Sequence, residues 1–307
     1  MSNSLGLCCV KDASRFEPPG RNSQTTSVVN RFLRQLRPKG TRAESSGKTP
    51  NPEPDPARCI IFIGGVRTGT TVFREMLATH PALVDRHEIF NVTNKLGFYP
   101  FLRELVRTEP DAVFPEYAME NFARFLGCGC EAGKISVFDL KYEHLLHAPI
   151  PWQLPFTEPH ILKFIASRGL KVIHLRRNPL HSLISNLIAN RSKRYHLYQR
   201  QNREPDISLD EAPIRVDRQQ IQESIEIRQQ VAALVDRTFP AEQRRSFDYE
   251  SIFSGEGQFR DEVCAAVADF IGIEDRFNRE AMLGKVITRP LSDIVENYAE
   301  IADLDQH

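Results

Sequence analysis

Ile60-Ile61-Phe62-Ile63-Gly64-Gly65-Val66-Arg67-Thr68-Gly69-Thr70-Thr71-Val72-Phe73-Arg74-Glu75-Met76-Leu77 decides the fold. A short run of β-branched and apolar residues breaks at two glycines and crosses a turn of small hydroxyl residues. It resumes with Val72, Phe73, Met76 and Leu77 at helical spacing. That is strand, phosphate-sized loop, helix. Such a loop presents backbone N–H groups at a helix N-terminus, where the peptide dipoles also favour negative charge. Gly64 and Gly69 have the spacing of a Walker A loop, but Thr70 stands where its lysine belongs. The cation sits inside the loop instead, at Arg67, and Thr68 to Thr71 add hydroxyls and amides. This suits a single terminal 5′ group better than a triphosphate with Mg²⁺. Any β-turn-α unit with a Gly-rich turn is the plainer alternative.

A second anchor lies further along. Leu170-Lys171-Val172-Ile173-His174-Leu175 reads as a buried strand running into Arg176-Arg177-Asn178-Pro179. Asn178 as cap and proline in the first turn open a helix over His181–Asn190. Arg177 stands at this junction, with Ser182 and Ser185 about one and two turns into the helix.

These two stretches resemble the sulfotransferases that use 3′-phosphoadenosine 5′-phosphosulfate (PAPS). Val66-Arg67-Thr68-Gly69-Thr70-Thr71 looks like their 5′-phosphosulfate loop. Arg177-Asn178-Pro179 followed by Ser185 looks like their 3′-phosphate motif. That likeness implies that the Arg177 fork meets phosphate oxygens bidentately while Ser185 donates a hydroxyl to the same group, with Ser182, one turn earlier, competing for that role. Two weaker matches follow: Ser246-Phe247-Asp248-Tyr249-Glu250 with its helix Glu262–Ile271 and Gly272 stop, and Gly284 to Tyr298, which looks like their C-terminal loop and last helix. In pattern the chain is similar to the bacterial carbohydrate and Nod-factor-type members. The resemblance implies an α/β fold, a central parallel sheet flanked by helices with P-loop nucleotide-kinase-like topology. It implies sulfuryl transfer from PAPS to an acceptor hydroxyl, carbohydrate or glycolipid favoured, with release of adenosine 3′,5′-bisphosphate and no metal. It assigns the cofactor to Arg67, Thr68, Gly69, Thr70, Thr71, Arg177 and Ser185, and to Lys285, Thr288 and Arg289 of a basic loop near the C-terminus. It makes Glu88, in Glu88-Ile89-Phe90-Asn91, the general base.

The stretch Val84 to Phe90 reads as a short polar knot, in which His87 is the rival base. Lys134 to Tyr142 reads as a second buried strand whose Lys141 points at the ligand crevice, where it can neutralise a sulfuryl group or be a plain surface lysine. Residues 99–127 carry two helices broken at Pro100, Pro110 and Pro115, and Asp217 to Asp236 is a long polar helix with Ile221, Ile225, Val231 and Leu234 along one face.

The composition bounds the alternatives. Lys plus Arg and Asp plus Glu both total 40 in 307 residues, so no global field favours nucleic acid; the basic, aromatic stretch from Arg191 suits an anionic cofactor, a sugar or a solvated loop. The six cysteines lack zinc spacing and fit a reducing compartment. No segment reaches the ~20 apolar residues of a spanning helix, so the expected location is cytoplasmic. Residues 1–57, rich in Ser, Pro and Arg, read as disordered, and 58–307 as the sulfotransferase domain. A small-molecule kinase and a non-catalytic nucleotide-binding scaffold stay open as rival functions.

Overall fold

A computed structural model describes residues 53–145, 158–192, 195, 213–254, 257–281 and 289–306. Five parallel strands form its sheet in the order β2-β3-β1-β4-β5. The chain runs β1 (Cys59–Gly64), α1 (Thr70–Ala78), β2 (Leu83–Glu88), α2 (Phe98–Thr108), α3 (Ala118–Gly129), β3 (Ile135–Lys141) and α4 (His160–Ser167). It continues through β4 (Lys171–Arg176), α5 (Pro179–Ser192), α6 (Arg218–Thr238), β5 (Arg244–Asp248) and α7 (Asp261–Ile271). The expected α/β architecture is therefore present, with β1 at the centre.

Every residue of β1 is buried, which is why it reads as an unbroken apolar run. On one face Phe62 packs edge-on against Phe73 of α1 at 5.2 Å, and Phe73 meets Phe259 at 5.8 Å, ahead of α7. On the other, Phe138 of β3 meets Phe125 of α3 at 5.8 Å, and Phe122 meets Phe164 of α4 at 5.6 Å. Helices thus cover both faces of the sheet. The chain leaves β1 towards β2 and β3 on one side and later towards β4 and β5 on the other. The crevice beyond the carboxyl end of β1 is therefore the topological switch point, the usual ligand position in open α/β sheets.

Three expectations change. The polar knot at 84–90 is an edge strand, β2, hydrogen-bonded to β3. Its charges are tolerated because they are paired: Arg74 with Asp85, and Arg86 with Glu131 at 2.9 Å. Pro100 breaks nothing, because it falls in the first turn of α2, where no intrahelical N–H is required; Pro110 and Pro115 do act as breaks, each opening a short 3-10 turn. The C-terminal segment forms 3-10 turns (Leu291–Asp293, Tyr298–Glu300, Ala302–Gln306) instead of a last helix. The expectations for residues 1–52, for Lys285 and Thr288 and for most of the stretch after Ser192 lie outside the described residues. No helix among the described residues is long and apolar enough to cross a membrane.

Candidate functional site

The loop between β1 and α1 is built from within. The amide and hydroxyl of Thr68 both donate to the Gly65 carbonyl, at 3.3 and 2.8 Å. Gly69 sits at φ 90°, where a side chain is strained and where a Cβ would also overlap the Tyr249 ring. Gly69 is the cap residue of α1, and no side chain caps that helix end. By contrast Asp217 accepts from the Gln220 amide at the start of α6, and Asn178 from the His181 amide at the start of α5. The first amides of α1 have no intrahelical acceptor and suit an anion.

Two cations converge beside that helix end. Arg67, held at φ 65°, donates through Nε to Ser185 Oγ at 3.3 Å and through its guanidinium to the Tyr195 carbonyl. Arg177 donates to the Arg67 carbonyl at 2.7 Å and lies 4.5 Å from the centre of the Tyr249 ring. Among the described residues neither makes an ion pair with a carboxylate, and the buried Nε of Arg177 has no hydrogen-bond partner. Burial pushes both guanidiniums down from their ordinary pKa, and for Arg67 the neighbouring charge of Arg177 adds to it. Both stay cationic, so they repel each other until an anion joins them.

On the opposite side of the crevice stand Lys141 and Glu88. Lys141, at the carboxyl end of β3, is 3% exposed and so is no surface lysine. Its ammonium donates to Thr70 Oγ1 and, at 2.8 Å, to Asp139 Oδ2, and lies 3.4 Å from Glu88 Oε1. A neighbouring strand thus brings a cation to Thr70, the position where the loop lacks its lysine. Glu88 also accepts from Asn91 Nδ2 at 3.3 Å.

A bulge aims Glu88. Asp85 pairs with Val137, but Glu88 pairs with Asp139, so β2 spends one residue more than β3 over that interval. The extra residue coincides with His87 at φ 59°. In unbroken register Glu88 would share the face of Phe138 and Leu140; the bulge turns it to the face of Asp139 and Lys141. His87 faces Asp85 instead, with Nδ1 at 3.1 Å from Oδ2.

Asp85 anchors the bulge. Burial alone would raise its carboxyl, but the hydrogen bond with His87 and the charge of Arg74 outweigh burial and hold it at about 2 against an ordinary 3.8. The folded chain therefore binds fewer protons here than the unfolded chain, so folding stability increases with pH across this range. We expect Asp85 to contribute about 2 kcal/mol above pH ~4, lost as pH falls to about 2. Urea unfolding of wild type and Asp85→Asn at pH 7 and pH 3 checks this, since the variant should lose less stability between the two.

Several residues at the site escaped the sequence reading. His144 follows Lys141 closely, and burial lowers its pKa, which keeps the imidazole neutral; its buried Nδ1 has no partner among the described residues, and its ring packs 5.7 Å from Phe90. Lys141's own argument, a position just past a strand's carboxyl end, would have found it. Tyr249 was seen only as part of a strand match, and it is the ring that covers Gly69. Arg228 extends the stripe of Ile221 and Ile225 on α6, and a charge on an apolar stripe was the available signal. Of the expected hydroxyls, that of Thr68 turns back on the loop, as its amide does. Ser182, the competitor of Ser185, is spent on the Val66 carbonyl at 2.8 Å. Arg289 is exposed.

Fold and site together define an α/β protein with a glycine turn and two neighbouring guanidiniums at its switch point. No family model and no curated protein matches the sequence. Solved sulfotransferases resemble it in structure. One from Alicyclobacillus acidocaldarius matches at 15% identity and TM-score 0.40, covering 74% of this chain and 85% of its own. A mouse sulfotransferase complexed with PAP matches at 11% and 0.38, covering 73% of this chain and 61% of its own. The sulfotransferase domain of the Synechococcus PCC 7002 olefin synthase matches at 16% and 0.37, covering 83% and 86%. These likenesses are partial.

Proposed function

We infer that the chain is a PAPS-dependent sulfotransferase whose transferase domain spans 58–307, acting in the cytoplasm on a hydroxyl of a carbohydrate or glycolipid. One observation carries this reading: two guanidiniums without carboxylate partners among the described residues, from different strand ends, meet at an uncapped helix N-terminus. A triphosphate lying along one loop needs no second cation on β4. A nucleotide bearing anionic groups at both its 5′ and 3′ positions does, and the unpartnered Arg177 Nε fits it.

PAPS supplies an activated sulfuryl group on its 5′ phosphate. Arg67 and the amides of Gly69 to Thr71, with the Thr70 hydroxyl, hold the 5′ end and offset the charge left on its phosphate. Arg177 and Ser185 fix the 3′-phosphate, and Arg289, Lys285 and Thr288 are assigned to close over the nucleotide. Lys141 balances charge on the transferring group. Glu88 takes the acceptor's proton as its oxygen bonds to sulfur and the bond to the phosphate breaks. None of these roles calls on a metal.

Calorimetric titration with adenosine 3′,5′-bisphosphate, with ADP and ATP as controls, is the test. Binding should require the 3′-phosphate. Arg177→Ala should weaken it by about 1.5–3 kcal/mol, roughly 10- to 150-fold, the range for a hydrogen bond to a charged group. Preference for ATP would return the kinase reading, and binding without any sulfated product the scaffold.

A further inference from the structure

Val66, the residue before Arg67, has both of its peptide groups gripped from outside the loop. Its N–H donates to the two carboxylate oxygens of Glu143, each at 3.3 Å. Its carbonyl accepts from Ser182 Oγ at 2.8 Å and from the Arg228 guanidinium at 3.2 Å. Arg228 joins the two grips, donating to Ser182 Oγ at 3.1 Å and to Glu143 Oε1 at 3.2 Å. Four residues from the loop, the end of β3, α5 and α6 thus close one hydrogen-bonded ring. Gly65 makes room for it, since a Cβ there would come within 2.7 Å of the same guanidinium.

The ring is costly to build, which argues that it does something. Burial lowers the Arg228 pKa, with Glu143 as its counter-charge, and the side chain is 13% exposed. Its position fixes both peptide planes of Val66, directly before the residue held at φ 65°. A non-glycine residue adopts that conformation only where its surroundings impose it. The imposed turn is also what presents the Arg67 carbonyl to Arg177 and the Arg67 side chain to Ser185.

We propose that Arg228 is a positioning residue for the anion loop, holding Val66 so that Arg67 stays in its left-handed turn with its guanidinium beside Arg177. This rests on the sulfotransferase reading for its consequence in turnover, but the brace itself is a property of the free protein. The Arg228 guanidinium is spent on Val66, Ser182 and Glu143, so its loss acts through Arg67.

Two measurements on the full chain separate the levels. In the free protein, Arg228→Met should speed hydrogen exchange of the Val66 to Thr68 amides about tenfold while the sheet amides keep their protection. In titrations, Arg228→Met should bind adenosine 3′,5′-bisphosphate about tenfold more weakly, and Arg228→Lys, which reaches one side of the ring, should recover part of the loss. Unchanged loop exchange overturns the brace whatever the wild type binds. Faster exchange in Arg228→Met, beside a wild type that binds no adenosine 3′,5′-bisphosphate, supports the brace and overturns the function. Equal nucleotide affinity in wild type and Arg228→Met overturns the link from brace to site. Should Arg228→Met fail to fold, Glu143→Gln loosens the same ring from its exposed side and is read in the same way.

Discussion

Glu88→Gln is expected to lower turnover by roughly a hundredfold or more while leaving the affinity for adenosine 3′,5′-bisphosphate at the wild-type level. The substitution keeps the shape of the side chain and an oxygen for Asn91, and removes the ability to take a proton. Nucleotide binding should survive because the two guanidiniums assigned to it lie on the other side of the crevice, at the ends of β1 and β4. A hydroxyl attacks sulfur poorly while it keeps its proton, so the loss belongs to kcat. Single-turnover sulfation at saturating PAPS, beside a calorimetric titration of the same protein, separates the two quantities. Normal turnover in Glu88→Gln would move the base first to His144, whose neutral imidazole lies in the same aromatic pocket as Phe90, and then to His87.

Arg74→Met is expected to destabilise the fold by about 3–5 kcal/mol, the cost of leaving buried charge without its partner. Arg74 is 4% exposed on the inner face of α1; it pairs with Asp85, and its Nε lies 2.9 Å from Oδ2 of the fully buried Asp139. Methionine fills most of the volume but leaves His87 and Lys141 as the remaining partners of Asp85 and Asp139. Burial then penalises the charge that has lost the guanidinium. Asp139 also holds Lys141, so the same change should loosen Lys141 from Thr70 and Glu88. Arg74→Lys, which retains one charge but not the fork, should fall between the two. Urea unfolding at pH 7 measures all three proteins, and a loss below about 1 kcal/mol in Arg74→Met would show that the pairs contribute little.

Much of this arrangement was legible in the chain itself. The β1 strand, the glycine turn and α1 follow from an apolar run, two small residues and a helical period, which are local properties. So does the β4-to-α5 junction, where Asn178 and Pro179 announce a helix start. Strand β2 was not legible, because an edge strand whose charges are all paired carries no alternating apolar signal. Nor was the C-terminal segment, whose 3-10 turns hang on contacts to α5 and α6, such as Asp305 with His181 at 2.8 Å.

The sequence by itself determined where in the chain the two halves of the candidate site lie, since both are strand-to-helix turns written in consecutive residues. Only the tertiary structure decided how the halves meet. Arg67 finds Ser185 and Arg177 finds the Arg67 carbonyl because parallel pairing of β4 beside β1 brings their carboxyl ends together. Lys141 stands against Thr70, in place of a lysine the loop lacks, because β3 lies on the other side of β1. Glu88 joins that cation through a single extra residue in an edge strand, whose side-chain direction depends on a register that no local pattern encodes.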